Sequence, residues 1–196
     1  MKKGSITLLV VGVIILIIAV GTLTTYNSLV AKDEAVTTAW SNIQSQYQRR
    51  ADLIPNLVNT VKGYTKHESG TLNDVVNARA KATQITVDAE TLTPEKLKQY
   101  QAAQGELSQA LGKLLAISEN YPDLKANESF SELQAQLEGT ENRINESRRQ
   151  YNELVKDYNI KVRRFPSNIV ANMFGFDKKT AFEAESGTDK APKVEF

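Results

Sequence analysis

No charged residue occurs between Gly4 and Ala31, and inside that window Ile6–Leu23 reads ITLLVVGVIILIIAVGTL. As a helix rising 1.5 Å per residue, such a run is about 27 Å long, close to the hydrocarbon thickness of a bilayer. Nothing later in the chain resembles it. The remainder is polar and helix-patterned, which predicts one membrane anchor carrying one water-soluble helical domain. A cleaved signal peptide is the nearest alternative, because Lys2 and Lys3 precede the run and Ala19-Val20-Gly21 is a small-x-small site. The run is longer than the roughly 7–15 residues of a signal core, so an uncleaved anchor is the better reading. Lys2, Lys3 and the terminal amine lie before the span, and Lys32 is the first base after it. The positive-inside bias therefore places the N-terminus in the cytoplasm and the domain outside.

Composition narrows the partners. With 24 bases against 23 acids the net charge is +1, which leaves no electrostatic footprint for nucleic acid. Cysteine is absent, which removes disulfides, thiolate metal sites and cysteine nucleophiles. Few Pro and Gly, with many Gln, Asn, Ala, Leu, Glu and Lys, favour helices over strands.

No helix breaker separates the span from Tyr26-Asn27-Ser28-Leu29-Val30, so the membrane helix is expected to run on. Val36, Trp40, Ile43 and Tyr47 then mark one helical face. Pro55 cannot sit inside a helix without losing a bond to Ala51, whereas it is tolerated in a first turn. Asp52 is placed to cap a new helix, with Arg49 or Arg50 pairing to it or to a helix C-terminus. A reversal at Arg50–Asp52 is therefore expected over a kinked rod. A second helix carries Leu57, Val61, Leu72 and Val75, and Gly63 or Gly70 bends or ends it. Thr93-Pro94-Glu95 starts a third helix, which stops before Tyr121-Pro122. The fourth is the plainest: Phe130, Leu133, Leu137, Thr140, Ile144, Ser147, Tyr151, Leu154, Tyr158 and Phe165 follow a period of 3.5, the mark of left-handed, coiled-coil-like packing. Pro166 ends it. Ser167–Gly175 reads as a short apolar helix with a Ser or Asn cap and a Gly stop.

The fold expected is all-α: an N-terminal transmembrane helix, an antiparallel up-and-down four-helix bundle and a short apolar C-terminal helix. The divisions are 1–5 cytoplasmic, 6–25 transmembrane, 26–165 bundle, 166–176 short helix and 177–196 extended tail.

Several blocks carry a family likeness: Ala39-Trp40-Ser41-Asn42-Ile43, Arg49-Arg50-Ala51-Asp52-Leu53-Ile54-Pro55-Asn56-Leu57-Val58 and Ala78-Arg79-Ala80. Later ones are Tyr121-Pro122-x-Leu124-Lys125-Ala126-Asn127, Phe165-Pro166-Ser167-Asn168, Phe174-Gly175-Phe176 and the closing Pro-x-Val-x-Phe. Over essentially its whole length the chain resembles the LemA family of bacterial membrane proteins. The resemblance implies a single-pass anchor in the bacterial cytoplasmic (inner) membrane and an antiparallel bundle. It names no reaction. It points to protein partners, either a membrane protease or a small extracytoplasmic domain protein.

Residues that could do chemistry are sparse. His67 has Gly70 and Thr71 where a metal site of the His-Glu-x-x-His kind needs a ligand, so it reads as a solvent-facing side chain. No nucleophile elbow, phosphate loop or dinucleotide fingerprint is present. No catalytic residue, metal or cofactor is expected. Trp40 reads as core and Tyr26 as the interface residue. Two features stand out. Val170, Met173, Phe174 and Phe176 lie where the fourth helix returns to the bilayer, and either dip into head groups, contact a second subunit or plug the bundle. Val194 and Phe196 alternate at the C-terminus in a way that suits strand addition to a partner. The function expected is a membrane-anchored scaffold or adaptor that positions partners and self-associates as a homo-oligomer. The alternatives are an accessory factor of a membrane protease and a membrane-surface-binding or remodelling protein.

Overall fold

A computed structural model describes residues 3–65 and 68–183 of the chain. Among these the fold is all helix, with no strand. His67, Val194 and Phe196 lie outside the described residues.

Helix α1 runs from Lys3 to Tyr64 without interruption. The apolar span and the first bundle helix are therefore one rod. The reversal expected at Arg50–Asp52 does not occur: Pro55 sits inside the helix, and the chain turns back after Tyr64, just past Gly63. Two physical reasons account for the difference. The buried face of Val36, Trp40, Ile43 and Tyr47 continues in register through Ile54, Leu57 and Val61, all of them buried. A break at Ala51 would strip those side chains from the core. The bond that Pro55 cannot make is also replaced. Arg79 Nε, from the next helix, donates to the carbonyl of Ala51 at 2.7 Å. Asp52 caps nothing; it is exposed and accepts from Gln48 Nε2 at 2.8 Å, one turn back.

Helix α2 (Ser69–Gln84) returns along α1 and buries Leu72, Val75, Ala78 and Ala82. The link 85–93 then crosses the near half of the bundle through a 3-10 turn at Ala89–Thr91. The Val87 carbonyl accepts from both Trp40 Nε1 and Gln44 Nε2 at 2.8 Å, so Trp40 is a core residue. Helix α3 (Pro94–Ile117) begins as expected: Pro94 is its first residue, and the Thr93 hydroxyl accepts from the Lys96 amide at 3.2 Å. A 3-10 turn and the short helix α4 (Pro122–Lys125) close the far end.

Helix α5 (Glu128–Arg163) is capped by Asn127 and runs antiparallel to α1. Asn127 meets Tyr64 at the far end, Glu141 meets Arg50 midway and Asp157 approaches Lys32 near the span. Most of the expected seam is buried: Phe130, Leu137, Thr140, Ile144, Tyr151 and Tyr158. Val155 replaces Leu154 at one step, and Phe165, expected to close the seam, is 76% exposed. Helix α6 (Ser167–Phe174) stops at Gly175, whose φ of 73° and αL backbone suit glycine. The Ser167 hydroxyl does not cap α6. It lies 2.6 and 2.7 Å from the carbonyls of Lys161 and Arg164, at the end of α5.

The core has two halves. The near half is aromatic, built on Trp40, Tyr47, Tyr100, Tyr151, Tyr158 and Phe182. The far half is mainly aliphatic, built on Ile54, Leu57, Val75, Leu107, Leu114 and Phe130. Arg50 lies between Tyr47 and Ile54 on α1, at the level where the two halves meet.

Candidate functional site

Three elements make up the candidate site, two at the near end of the bundle and one across its middle. From Leu8 to Leu23, α1 exposes Leu, Val and Ile side chains around its whole circumference. The most apolar part of that helix is 0% buried within the molecule, and by length and composition it can cross a membrane. Three residues past Leu23, Tyr26 receives α6: its ring lies 4.9 Å from Phe174 and 5.8 Å from Phe176. Thus α6 packs on α1 about one turn beyond the apolar run.

The candidate contact residues of α6 divide. Val170 and Ala171 face inward and are buried with the near core. Val170 is therefore a bundle residue, not part of an outer face. Met173 (68% exposed), Phe174 (51%), Ile169 and Phe165 face outward. Phe176 is half-buried against Tyr26. These outward side chains form an apolar foot beside the emerging span, bordered in sequence by Arg163, Arg164 and Lys178.

The second element went unread in the sequence. Residues 177–183 are not a loose tail but an extended strap laid on α5. Asn159 and Asn152, one heptad apart, hold it. The Asn159 carboxamide donates to the Lys179 carbonyl and accepts from the Lys179 amide, both at 2.9 Å. Asn152 repeats the pattern with Phe182, at 3.1 and 2.8 Å. The Tyr151 hydroxyl donates to the Thr180 carbonyl at 2.9 Å. Phe182 is buried, stacked on Trp40 at 5.8 Å and edge-on to Tyr151 at 5.5 Å, with the Arg148 guanidinium over its ring. Lys179 Nζ reaches Asp33 at 2.7 Å. Two amides seven residues apart beside a heptad seam were the available signal, since amides are the side chains that can pair with backbone in both directions.

The third element is a polar layer across the bundle. Arg50 is 2% exposed. It donates to Glu141 Oε2 and Ser108 Oγ at 2.8 Å, and to the Gln104 carboxamide oxygen at 2.6 Å. Its guanidinium lies 5.1 Å from the centre of the Tyr47 ring. The expected pairing of an Arg with Asp52 or a helix end is therefore corrected: the partner is on α5, and Arg49 is exposed. Among the described residues no cluster of His, Asp and Glu is arranged to hold a metal ion.

A family model for the LemA family matches residues 39–196. The chain belongs to the LemA family. The matched region includes Arg50, Pro55, Arg79, both strap-holding asparagines and α6, while the apolar run lies before it. Among relatives of this LemA-family protein, Protein LemA of Metamycoplasma hominis is 27% identical over 81% of this chain and 68% of its own. Magnetosome protein MamQ 2 of Paramagnetospirillum magneticum is 26% identical over 93% of this chain and 74% of its own. MamQ of Magnetospirillum gryphiswaldense is 26% identical over 96% and 76%. The chain is thus a membrane-associated helical protein of this family.

Proposed function

We propose that this LemA-family protein is a single-pass scaffold of the cytoplasmic membrane, with its N-terminus in the cytoplasm and its bundle outside. It works by tethering and positioning partner proteins and further copies of itself, not by catalysis. The observation that carries this reading is the continuity of α1 with the foot packed on it. A rod unbroken from Lys3 to Tyr64 fixes the bundle relative to the span, and the part past Tyr26 reaches about 57 Å from the membrane. The foot sets a second apolar surface where that rod leaves the lipid. A jointed anchor would let the domain swing; a rod with a foot holds it upright. The name of the relatives, magnetosome protein, ties them to a structure rather than to a reaction and favours the same kind of role here.

The placement is tested in proteoliposomes. The chain has no cysteine, so a fluorophore can be attached to Met173→Cys alone, and to Gln136→Cys as a distant control. Lipid-borne quenchers are expected to dim the first and spare the second. Equal quenching at both sites, or none at Met173→Cys, would remove the foot from the bilayer. Crosslinking with mass spectrometry in intact membranes tests the scaffold role. Contacts with other envelope proteins and between copies are expected, and their absence counts against it.

A further inference from the structure

The strap shows what its groove recognises. Asn152 and Asn159 pair only with backbone N–H and C=O groups, which nearly every residue offers. Side-chain selection falls on two positions three residues apart. One takes a Lys, through Asp33 at 2.7 Å and the Tyr158 ring. The other takes a Phe, against Trp40 and Tyr151. The groove therefore reads Lys-x-x-Phe in extended form. That pattern occurs twice in the chain: Lys179-Thr180-Ala181-Phe182, which fills the groove, and Lys193-Val194-Glu195-Phe196. Between them lies Glu183-Ala184-Glu185-Ser186-Gly187-Thr188-Asp189-Lys190-Ala191-Pro192, polar and carrying a Gly and a Pro. A linker this short keeps the second copy of the pattern at high local concentration around the first. A cleft of about 300 Å³ along the strap, lined by Leu97, Lys98, Gln101 and Ala181 among others, leaves one of its sides uncovered.

We propose that this groove is a docking site for extended Lys-x-x-Phe segments, and that its second ligand is Lys193–Phe196 of the same chain, exchanging with Lys179–Phe182. Whichever segment is seated, the other is displayed for partners. The exchange does not depend on the scaffold reading; it stands on the groove and the repeated pattern.

A disulfide tests it in the full-length protein in its membrane. In register, Glu195 takes the place of Ala181, which shares the cleft with Lys98. A chain carrying Lys98→Cys and Glu195→Cys is expected to form an intramolecular disulfide on mild oxidation. Adding Phe196→Ala should lower its yield about tenfold, the low end of what burying one aromatic ring contributes. Adding Phe182→Ala should raise it, because the resident segment then competes poorly. Lys179→Glu, which leaves the aromatic core intact, should raise it too and covers a folding defect in Phe182→Ala. No disulfide, a yield indifferent to Phe196→Ala or to both strap variants, or a disulfide that joins only separate chains would overturn the proposal.

Discussion

At Pro55 the backbone lacks the N–H that would close a turn onto Ala51, and Arg79 supplies the missing donor from α2. Ala51 is buried, so removing Arg79 takes from its carbonyl the donor that α2 supplies. Arg79→Met should therefore cost about 1–3 kcal/mol, the range for orphaning a buried acceptor. Pro55→Ala restores the N–H, and in that background Arg79→Met should cost under about 0.5 kcal/mol. Denaturant unfolding of the two singles and the double, followed by helix ellipticity, gives the coupling; additive losses would mean that Arg79 acts elsewhere. Arg50 makes a different argument. It is buried, whereas the Glu141 side chain is 44% exposed. Glu141→Ala leaves a cation in the core and should cost about 3 kcal/mol. Arg50→Met leaves a carboxylate that water can reach, and should cost less. The same unfolding experiment orders the two, and the opposite order would count against charge burial as the cause.

The elements show which signals a linear pattern carries. The period of α5, the Thr93-Pro94 start of α3, the Gly175 stop of α6 and the length of the apolar run were all readable, because each depends on neighbours within a few residues. The place where α1 turns was not. Proline obeys a local rule, and here that rule yields to one bond from Arg79, distant in sequence. Arg49 and Arg50 were read as pairing with Asp52 or a helix end, and the partner that Arg50 takes, Glu141, lies 91 positions away. The strap was hidden because an extended segment gains its hydrogen bonds from α5 rather than from itself. That origin sets its energetics. A strap can lift off without unfolding the bundle, so its loss is capped at its docking free energy. Phe182→Ala together with Phe196→Ala, which leaves neither ring for the groove, and truncation after Phe176 are thus expected to lower stability by similar amounts. Both should shift Trp40 fluorescence to the red as its covering ring departs. A truncation far more damaging than that double variant would mean that the strap belongs to the folding core.

Across the whole molecule, the division of the core into an aromatic near half and a mainly aliphatic far half gives the chain an alkaline limit. Burial raises the phenol of Tyr151 to about 12 and that of Tyr158 also to about 12, with Asp33 and Asp177 adding to the second. Tyr100 is raised further still, by burial first and then by Tyr47. An unfolded tyrosine ionises near 10. Below that pH both states hold these protons and the three phenols add no pH dependence. Above it the unfolded chain releases them while the folded one does not. Stability then falls by about 1.4 kcal/mol per pH unit for each tyrosine until the folded values are reached. Three together remove about 4 kcal/mol per unit, a large part of the 5–15 kcal/mol typical of a domain. Cooperative loss of helix between about pH 10 and 12 is expected, with phenolate absorbance rising in step with it. Tyr158→Phe should move the midpoint upward, provided that the ring keeps its packing. Phenolate formation near its ordinary pH with the helices intact would show that these side chains meet water in the native state. The near half also holds the strap and the foot, so alkali should free Trp40 from Phe182 and lift α6 from Tyr26 while the apolar span keeps the chain on the membrane.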